Sequence, residues 1–299
     1  MTTVKHKKIG SFSGPYIYGK RNVFPHLPNH SNSHLERAFW LTTMVESGGK
    51  AGTIMGADGT GITASLEQLP AVYPRNMQIQ GPLFKMLRRI DFLVPVTYWL
   101  PFRVEGWTLA HDGVLRYSGS GNPVPPRVIR NTFTPNAGKV PKTGKDWEQA
   151  KKWAIYFHDL FSLDTTIPIQ AKYGIEKFCK FAQRYRTKHL NKETVEELLY
   201  NGNVMNPQPF KDDPVMDLAM CMWWNYHVNS PTTAIKKMRD VLISHSGPDL
   251  GSAIIRELRA SRYGRWGTNR YDRTREHAMK VWPKELFEKD GPMPARRTN

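Results

Sequence analysis

The stretch His34-Leu35-Glu36-Arg37-Ala38-Phe39-Trp40-Leu41-Thr42-Thr43-Met44-Val45-Glu46-Ser47-Gly48-Gly49-Lys50 decides how this chain reads. Leu35, Ala38, Phe39, Thr42, Val45 and Glu46 recur at the i, i+3, i+4, i+7 spacing of one helical face. That face is made of core residues until its last member, a carboxylate. Gly48 and Gly49 supply the left-handed residues that stop a helix just past Glu46. The acid therefore stands in the last turn, where the carbonyl end of the macrodipole disfavours negative charge. Burial and dipole together predict a carboxylic acid that keeps its proton near neutral pH.

Such an acid is what glycoside hydrolysis needs to protonate a leaving sugar oxygen. Beyond the helix, Thr53-Ile54-Met55 and Ile62-Thr63-Ala64 flank Gly56-Ala57-Asp58-Gly59-Thr60-Gly61. Asp-Gly and the additional glycines predict two short strands joined by a turn. The hairpin is expected to place Asp58, Thr60 and Thr63 beside the helix end that carries Glu46. There they would hold a water, or the positive charge developing on a sugar ring, opposite the acid. Plainer readings stand beside these. Asp58 is also a turn residue that can satisfy its own backbone, Thr63 a strand residue, and Gln68 a cap or bridge for buried backbone.

Three features together resemble a known family: Glu46-Ser47-Gly48-Gly49-Lys50, Asp58 in its Gly-rich turn, and Leu66-Glu67-Gln68-Leu69-Pro70. They look like the catalytic core of goose-type lysozymes and soluble lytic transglycosylases, where a Glu-Ser pair ends a helix and a Gly-Leu-Met-Gln run follows a hairpin. The resemblance implies Glu46 as acid/base, Asp58 as the second acidic group and Gln68 as a cleft residue. Ser65 and Glu67 stand where that run has Gly and Met. A second, weaker echo is Trp224-Asn225-Tyr226, at the place of the Ala-Tyr-Asn type sequence that lines the cleft in transglycosylases. It implies Asn225 and Tyr226 as substrate-binding residues, together with Thr60, Thr63 and Gln68 from the hairpin region. The resemblance covers about a fifth of the chain.

The 299 residues, 39% apolar and 23% charged, fit an ordinary globular protein of one or two domains. No stretch reads as a membrane span, and Ile9 to Pro15 is not the apolar core of a secretory signal. Forty-three Lys and Arg against 26 Asp and Glu give a net charge of +17. That excess implies a polyanionic partner: nucleic acid, anionic lipid headgroups or bacterial wall polymers. Cys179 and Cys221 read as buried free thiols and predict neither a disulfide nor a zinc site. His26, His30 and His34 are spaced by four, but Pro25 and Pro28 break the helix that would align them as ligands. No cofactor or metal is implied, and no Walker loop, dinucleotide fingerprint or nucleophile elbow is present.

Residues 1–30 read as an irregular arm, and 31–90 as the catalytic helix and hairpin, closed by an amphipathic helix from Pro82 to Ile90. Residues 91–145 read as a β-containing insertion. Its strands are expected at Phe92 to Trp99 and Gly106 to Tyr117, with a hairpin at Asp112-Gly113, followed by a long loop from Pro123 to Lys145. Trp99 and Trp107 are candidates for stacking on sugar rings or for the core. Residues 146–245 read as the helical remainder of the catalytic core. Asp146 is its expected first cap, His158 sits at the edge of an apolar face, and further helix starts are expected at Asn191, Asp213-Pro214 and Ser230-Pro231. Residues 246–299 form a basic helical region. There, interleaved Arg and aromatic residues from Arg262 to Arg273 make nucleic-acid binding the second reading.

The fold class expected is therefore α+β, mostly α: a lysozyme-like core with a small β-hairpin and an inserted β-containing subdomain. By resemblance the activity is cleavage of the β-1,4 bond between N-acetylmuramic acid and N-acetylglucosamine in peptidoglycan. The partners implied are peptidoglycan glycan strands and anionic cell-wall or membrane surfaces. Such a chain without a visible signal peptide suits a bacteriophage lytic enzyme, held in the host cytoplasm before release to the wall or carried in the virion. The alternatives are a lytic transglycosylase forming 1,6-anhydro ends, a chitosanase or chitinase, and a non-enzymatic nucleic-acid-binding or virion structural protein.

Overall fold

A computed structural model describes residues 2–19, 21–22, 34–73, 79–184, 218–224, 231–244, 250–260 and 276. The fold is α+β and mostly helical, with small antiparallel sheets. Two compact units divide it. The first comprises residues 1–25 and 46–173, and the second comprises 26–45 and 174–299.

In the first unit, β1 (Lys5–Ile9), β2 (Phe12–Ile17), β5 (Ile54–Met55), β6 (Thr63–Ala64) and β7 (Leu69–Pro70) form one antiparallel sheet in that spatial order. β3 (Arg21–Asn22) pairs with β4 (Lys50–Ala51). Residues 5–17 are thus a hairpin and not the irregular arm expected. Gly14 and Pro15 look like strand breakers in sequence, yet the next strand requires both. Pro15 has no N–H to leave unpaired, and its carbonyl accepts the Gly56 N–H at 2.8 Å. A side chain on Gly14 would put its Cβ 2.3 Å from the Gly56 carbonyl oxygen, so only glycine admits this approach. β1, with Lys5, Lys7 and Lys8, is the mostly exposed edge, which lysines protect from pairing with another chain.

Helix α2 (Leu83–Ile90) lies where its periodicity predicts, burying Leu83, Phe84, Met86, Leu87 and Ile90. The segment after it departs from expectation. Phe92 to Trp99 forms two 3-10 turns, Asp91–Leu93 and Val96–Trp99, and no strand; the second runs directly into α3 (Leu100–Val104). Pro95 cannot donate to a ladder, and the following Pro101 fits the first turn of a helix. β8 (Trp107–Leu109) and β9 (Leu115–Tyr117) do form the expected hairpin, with Leu109 opposite Leu115. The long loop expected after it contains α4 (Pro126–Phe133), started by Pro126 at its first position.

Residues 91–145 are not a separate subdomain. Phe102, Trp107, Leu115, Ile129 and Phe133 share one buried cluster with Ile54, Ile62 and Leu69 of the sheet and with Trp153 and Phe157 of α5 (Lys145–Phe161). Phe133 and Trp153 stand 4.7 Å apart between ring centroids. Trp107 is a core residue, only 2% exposed, and is closed to a sugar. Asp146 sits in the first turn of α5 and does not cap it, because Gly144 holds the cap position.

Helix α1 (His34–Ser47) has residues 34–45 in the second unit and 46–47 in the first, and it is buried all round between Phe39 and Met44, not along a single stripe. The Thr42 hydroxyl donates to the buried thiol of Cys221 at 3.3 Å. α6 (Ile167–Arg184) starts in the first unit, continues into the second from residue 174, and begins well before the position that its apolar pattern marks. Residues 218–224 are helical and buried, and α7 (Pro231–Ser244), opened by its proline as predicted, pairs with α8 (Leu250–Ala260) through Lys237 and Glu257. Among the described residues no helix is long and apolar enough to cross a membrane.

Replacing Gly14 by Ala is expected to cost about 1 to 3 kcal/mol in urea unfolding through overpacking against the Gly56 backbone. A loss below about 0.5 kcal/mol, the size of an ordinary surface change, would contradict the close approach.

Candidate functional site

Helix α1 ends as its sequence demands. Gly48 and Gly49 take φ of +66° and +65°, and the half-buried Glu46 stands in the last turn. The chain then turns through Thr53 into β5, crosses by Asp58 to β6, and returns through Ser65 and Gln68 to β7. Four of the residues singled out in sequence, Asp58, Thr60, Thr63 and Gln68, lie in this one region and are hydrogen-bonded to one another.

Asp58 Oδ1 accepts the Thr60 N–H at 3.0 Å and the Thr60 hydroxyl at 2.6 Å. Thr63 Oγ1 lies 3.0 Å from Asp58 Oδ2, 3.1 Å from the Met55 carbonyl and 3.4 Å from Gln68 Oε1. The Gln68 amide donates to the Thr53 carbonyl at 2.7 Å and to the Ser65 carbonyl at 3.1 Å. Thr53 Oγ1 stands 3.0 Å from the carbonyls of both Ser47 and Lys50 and accepts the Gly19 N–H at 3.0 Å. A run of polar neighbours therefore leads from Ser47, next to Glu46, to Asp58.

Asp58 is bonded to Thr60 as the turn residue its sequence suggested, and its second oxygen faces the Thr63 hydroxyl. Although the residue retains some solvent exposure, desolvation dominates at its carboxyl and pushes it above 3.8, against the opposing pull of hydrogen bonds from Thr60 and Thr63. Hydrogen-bond arithmetic agrees. The Thr63 hydroxyl has one proton and three acceptors around it. A carboxyl that takes up a proton more readily eases this competition, in the same direction as the desolvation.

Two residues here hold φ values that disfavour side chains: Ser65 at +76° and Gln68 at +53°. The Ser65 backbone conformation is one that glycine adopts freely. Gln68 is held in place by its two amide hydrogen bonds.

Three residues escaped the sequence reading. Thr53, taken as a strand residue, is the junction of the cluster. Tyr18, half-exposed, places its hydroxyl 2.4 Å from where a Gly48 side chain would begin, and the Lys50 ammonium lies 4.5 Å above its ring. His158 is not at a face edge. It is 4% exposed, and its Nδ1 lies 2.6 Å from the Gly52 carbonyl, tying α5 to the turn after β4. A polar residue at apolar helical spacing was the available signal for His158; nothing local marked Tyr18. Asn225 and Tyr226 lie outside the described residues, as do His26, His30 and the helix starts at Asn191 and Asp213. Among the described residues, no cluster of His, Cys, Asp and Glu is arranged to hold a metal.

No protein-family model, curated protein or solved structure matches the chain.

The upward shift of the Asp58 carboxyl gives a signed prediction. A carboxyl raised by folding is protonated in the folded state at pH values where the unfolded chain is already ionised, so it lowers stability as pH rises from 3.8 to its folded value and leaves a constant penalty above. Asp58→Asn, whose amide can donate to Thr63 and accept from Thr60, is expected to be at least as stable as wild type at pH 7. That advantage should shrink as pH falls toward 4, read from urea midpoints. A difference that does not change with pH between 4 and 8 would contradict a raised carboxyl. Ser65→Gly is expected to gain about 1 kcal/mol in the same assay by relieving the left-handed backbone.

Proposed function

We propose that residues 46–70 form the catalytic centre of a glycoside-cleaving enzyme that acts on the β-1,4 bond between N-acetylmuramic acid and N-acetylglucosamine, with Glu46 as general acid. The observation that carries this reading is the continuous set of polar contacts from Ser47 through Thr53, Gln68 and Thr63 to Asp58. It links the backbone of Ser47, the residue after Glu46 at the helix end, to an acid in a Gly-rich turn. The placement of Gln68 within it, where a bystander on the surface would make no such bonds, supports the resemblance to goose-type lysozymes and lytic transglycosylases.

In the proposed reaction Glu46 gives its proton to the glycosidic oxygen as the C1–O bond breaks, and positive charge spreads over the ring carbon and oxygen. The N-acetylglucosamine side leaves as an alcohol. Hydrolysis then needs a water and a base to take its proton. One specific observation favours a second branch. Both Asp58 oxygens are already engaged, Oδ1 by Thr60 and Oδ2 by Thr63, which leaves Asp58 poorly placed to orient a water. The muramic acid C6 hydroxyl can close on C1 instead, giving its proton to the Glu46 carboxylate, forming a 1,6-anhydro ring and restoring the acid.

Zymograms with purified peptidoglycan test the first claim: Glu46→Gln should lose about 100-fold or more of the clearing, with its circular dichroism unchanged. Equal clearing by both proteins would remove Glu46 from the chemistry. Mass spectrometry of the released muropeptides separates the branches, since hydrated ends require water and anhydro ends exclude it. Turnover of chitosan in preference to peptidoglycan would reassign the substrate.

A further inference from the structure

The segment from Phe92 to Val104 inverts the usual arrangement of a surface helix. Phe92 and Val104 are each 76% exposed, Val96 is 59% exposed and Leu100 49%. They recur every four residues, and the last three follow one another along the continuous helical run of Val96–Trp99 and Leu100–Val104. The inward side of the same run is already satisfied: Phe102 is buried against Trp107, Trp153 and Tyr156, and Trp99 and Tyr98 pack at the edge of that core. The outward apolar side chains are therefore not needed to hold the fold. Phe92, Val104 and Val96 are the three most exposed large apolar side chains among the described residues.

Cations outnumber acids around this face. From Lys85 to Glu105 the chain carries Lys85, Arg88, Arg89 and Arg103 against Asp91 and the exposed Glu105, and Arg88 pairs with Asp91. Arg89 lies over the Tyr173 ring, which leaves Lys85 and Arg103 exposed to solvent. A shallow cleft of about 440 Å³ opens beside the ridge, lined by Phe92 and Val96 of the ridge itself together with Asp91, Trp99, Phe102 and Arg103. An apolar ridge flanked by exposed cations has the chemistry of a segment that lies in the headgroup region of a bilayer. A second copy of this chain fits less well, because it would bring together two surfaces of a protein whose net charge is +17.

We infer that Phe92, Val96, Leu100 and Val104 form an interfacial anchor by which the first unit binds the surface of an anionic phospholipid bilayer. The apolar side chains enter the acyl boundary, and Lys85 and Arg103 meet headgroup phosphates. This inference is independent of the proposed glycosidase chemistry, since none of these residues belongs to the Glu46 region.

The full chain, incubated with vesicles of phosphatidylethanolamine and phosphatidylglycerol or of phosphatidylcholine alone, should sediment with the first and remain in solution with the second. Phe92→Ser with Val104→Ser changes two side chains that the core does not use, and should weaken sedimentation about tenfold or more. Arg103→Glu should weaken it further and reduce its dependence on salt. Circular dichroism and Glu46-dependent clearing serve as controls of folding and of the separate site. Failure of the wild type to bind anionic vesicles overturns the anchor. So does equal binding by the double-serine variant, which would assign the attachment to net charge alone. Concentration-dependent dimers in sedimentation equilibrium that the same variant abolishes, with vesicle binding unchanged, would give the ridge to a second copy and overturn it as well.

Discussion

One hydroxyl orders the region on which the proposed chemistry depends. Thr53 Oγ1 accepts the Gly19 N–H after β2 and faces the Ser47 and Lys50 carbonyls at the end of α1, while its own carbonyl accepts the Gln68 amide. Three segments with no local relation to one another are thereby fixed around a single buried side chain. A buried polar group left unpaired costs about 1 to 3 kcal/mol, so each of these contacts penalises any displacement of its partners. The helix end that carries Glu46 is held by the same residue that holds the hairpin loop.

Around that junction the structure keeps features that stability alone would not select. Ser65 and Gln68 sit in left-handed backbone, and the Asp58 carboxyl is desolvated among hydroxyls that compete for protons. Conformational strain and a buried acid in adjacent positions are what active sites accumulate when geometry matters more than free energy. Below them, the aromatic cluster of Phe102, Phe133, Trp153 and Phe157 gives the sheet a stiff floor, and the His158 bond to the Gly52 carbonyl fastens the turn to α5. The outer face of the 92–104 run belongs to the same unit yet plays no part in this support. Its apolar side chains are exposed, in contrast to the buried Phe102 opposite them.

The sequence by itself determined the elements whose causes are local. The helix ending at Glu46, its glycine stop, the pairing of β5 with β6, helix α2 and the β8–β9 hairpin all follow from periodicity and from residues that need positive φ, and each lies where its pattern predicts. The grouping of Asp58, Thr60, Thr63 and Gln68 was legible for the same reason, since all four fall within eleven residues of chain. Tertiary structure alone decided the rest. Gly14 and Pro15 are strand residues because β1 pairs with them on one side and Gly56 approaches on the other, and 92–99 forms 3-10 turns in which Pro95 has no N–H to give a ladder. His158 is a core residue because a carbonyl 106 positions away meets its ring. Thr53 became the centre of the site through bonds to Gly19 and Gln68. A hydrogen bond between distant residues leaves no periodicity in either segment, so the contact exists only once the chain has folded.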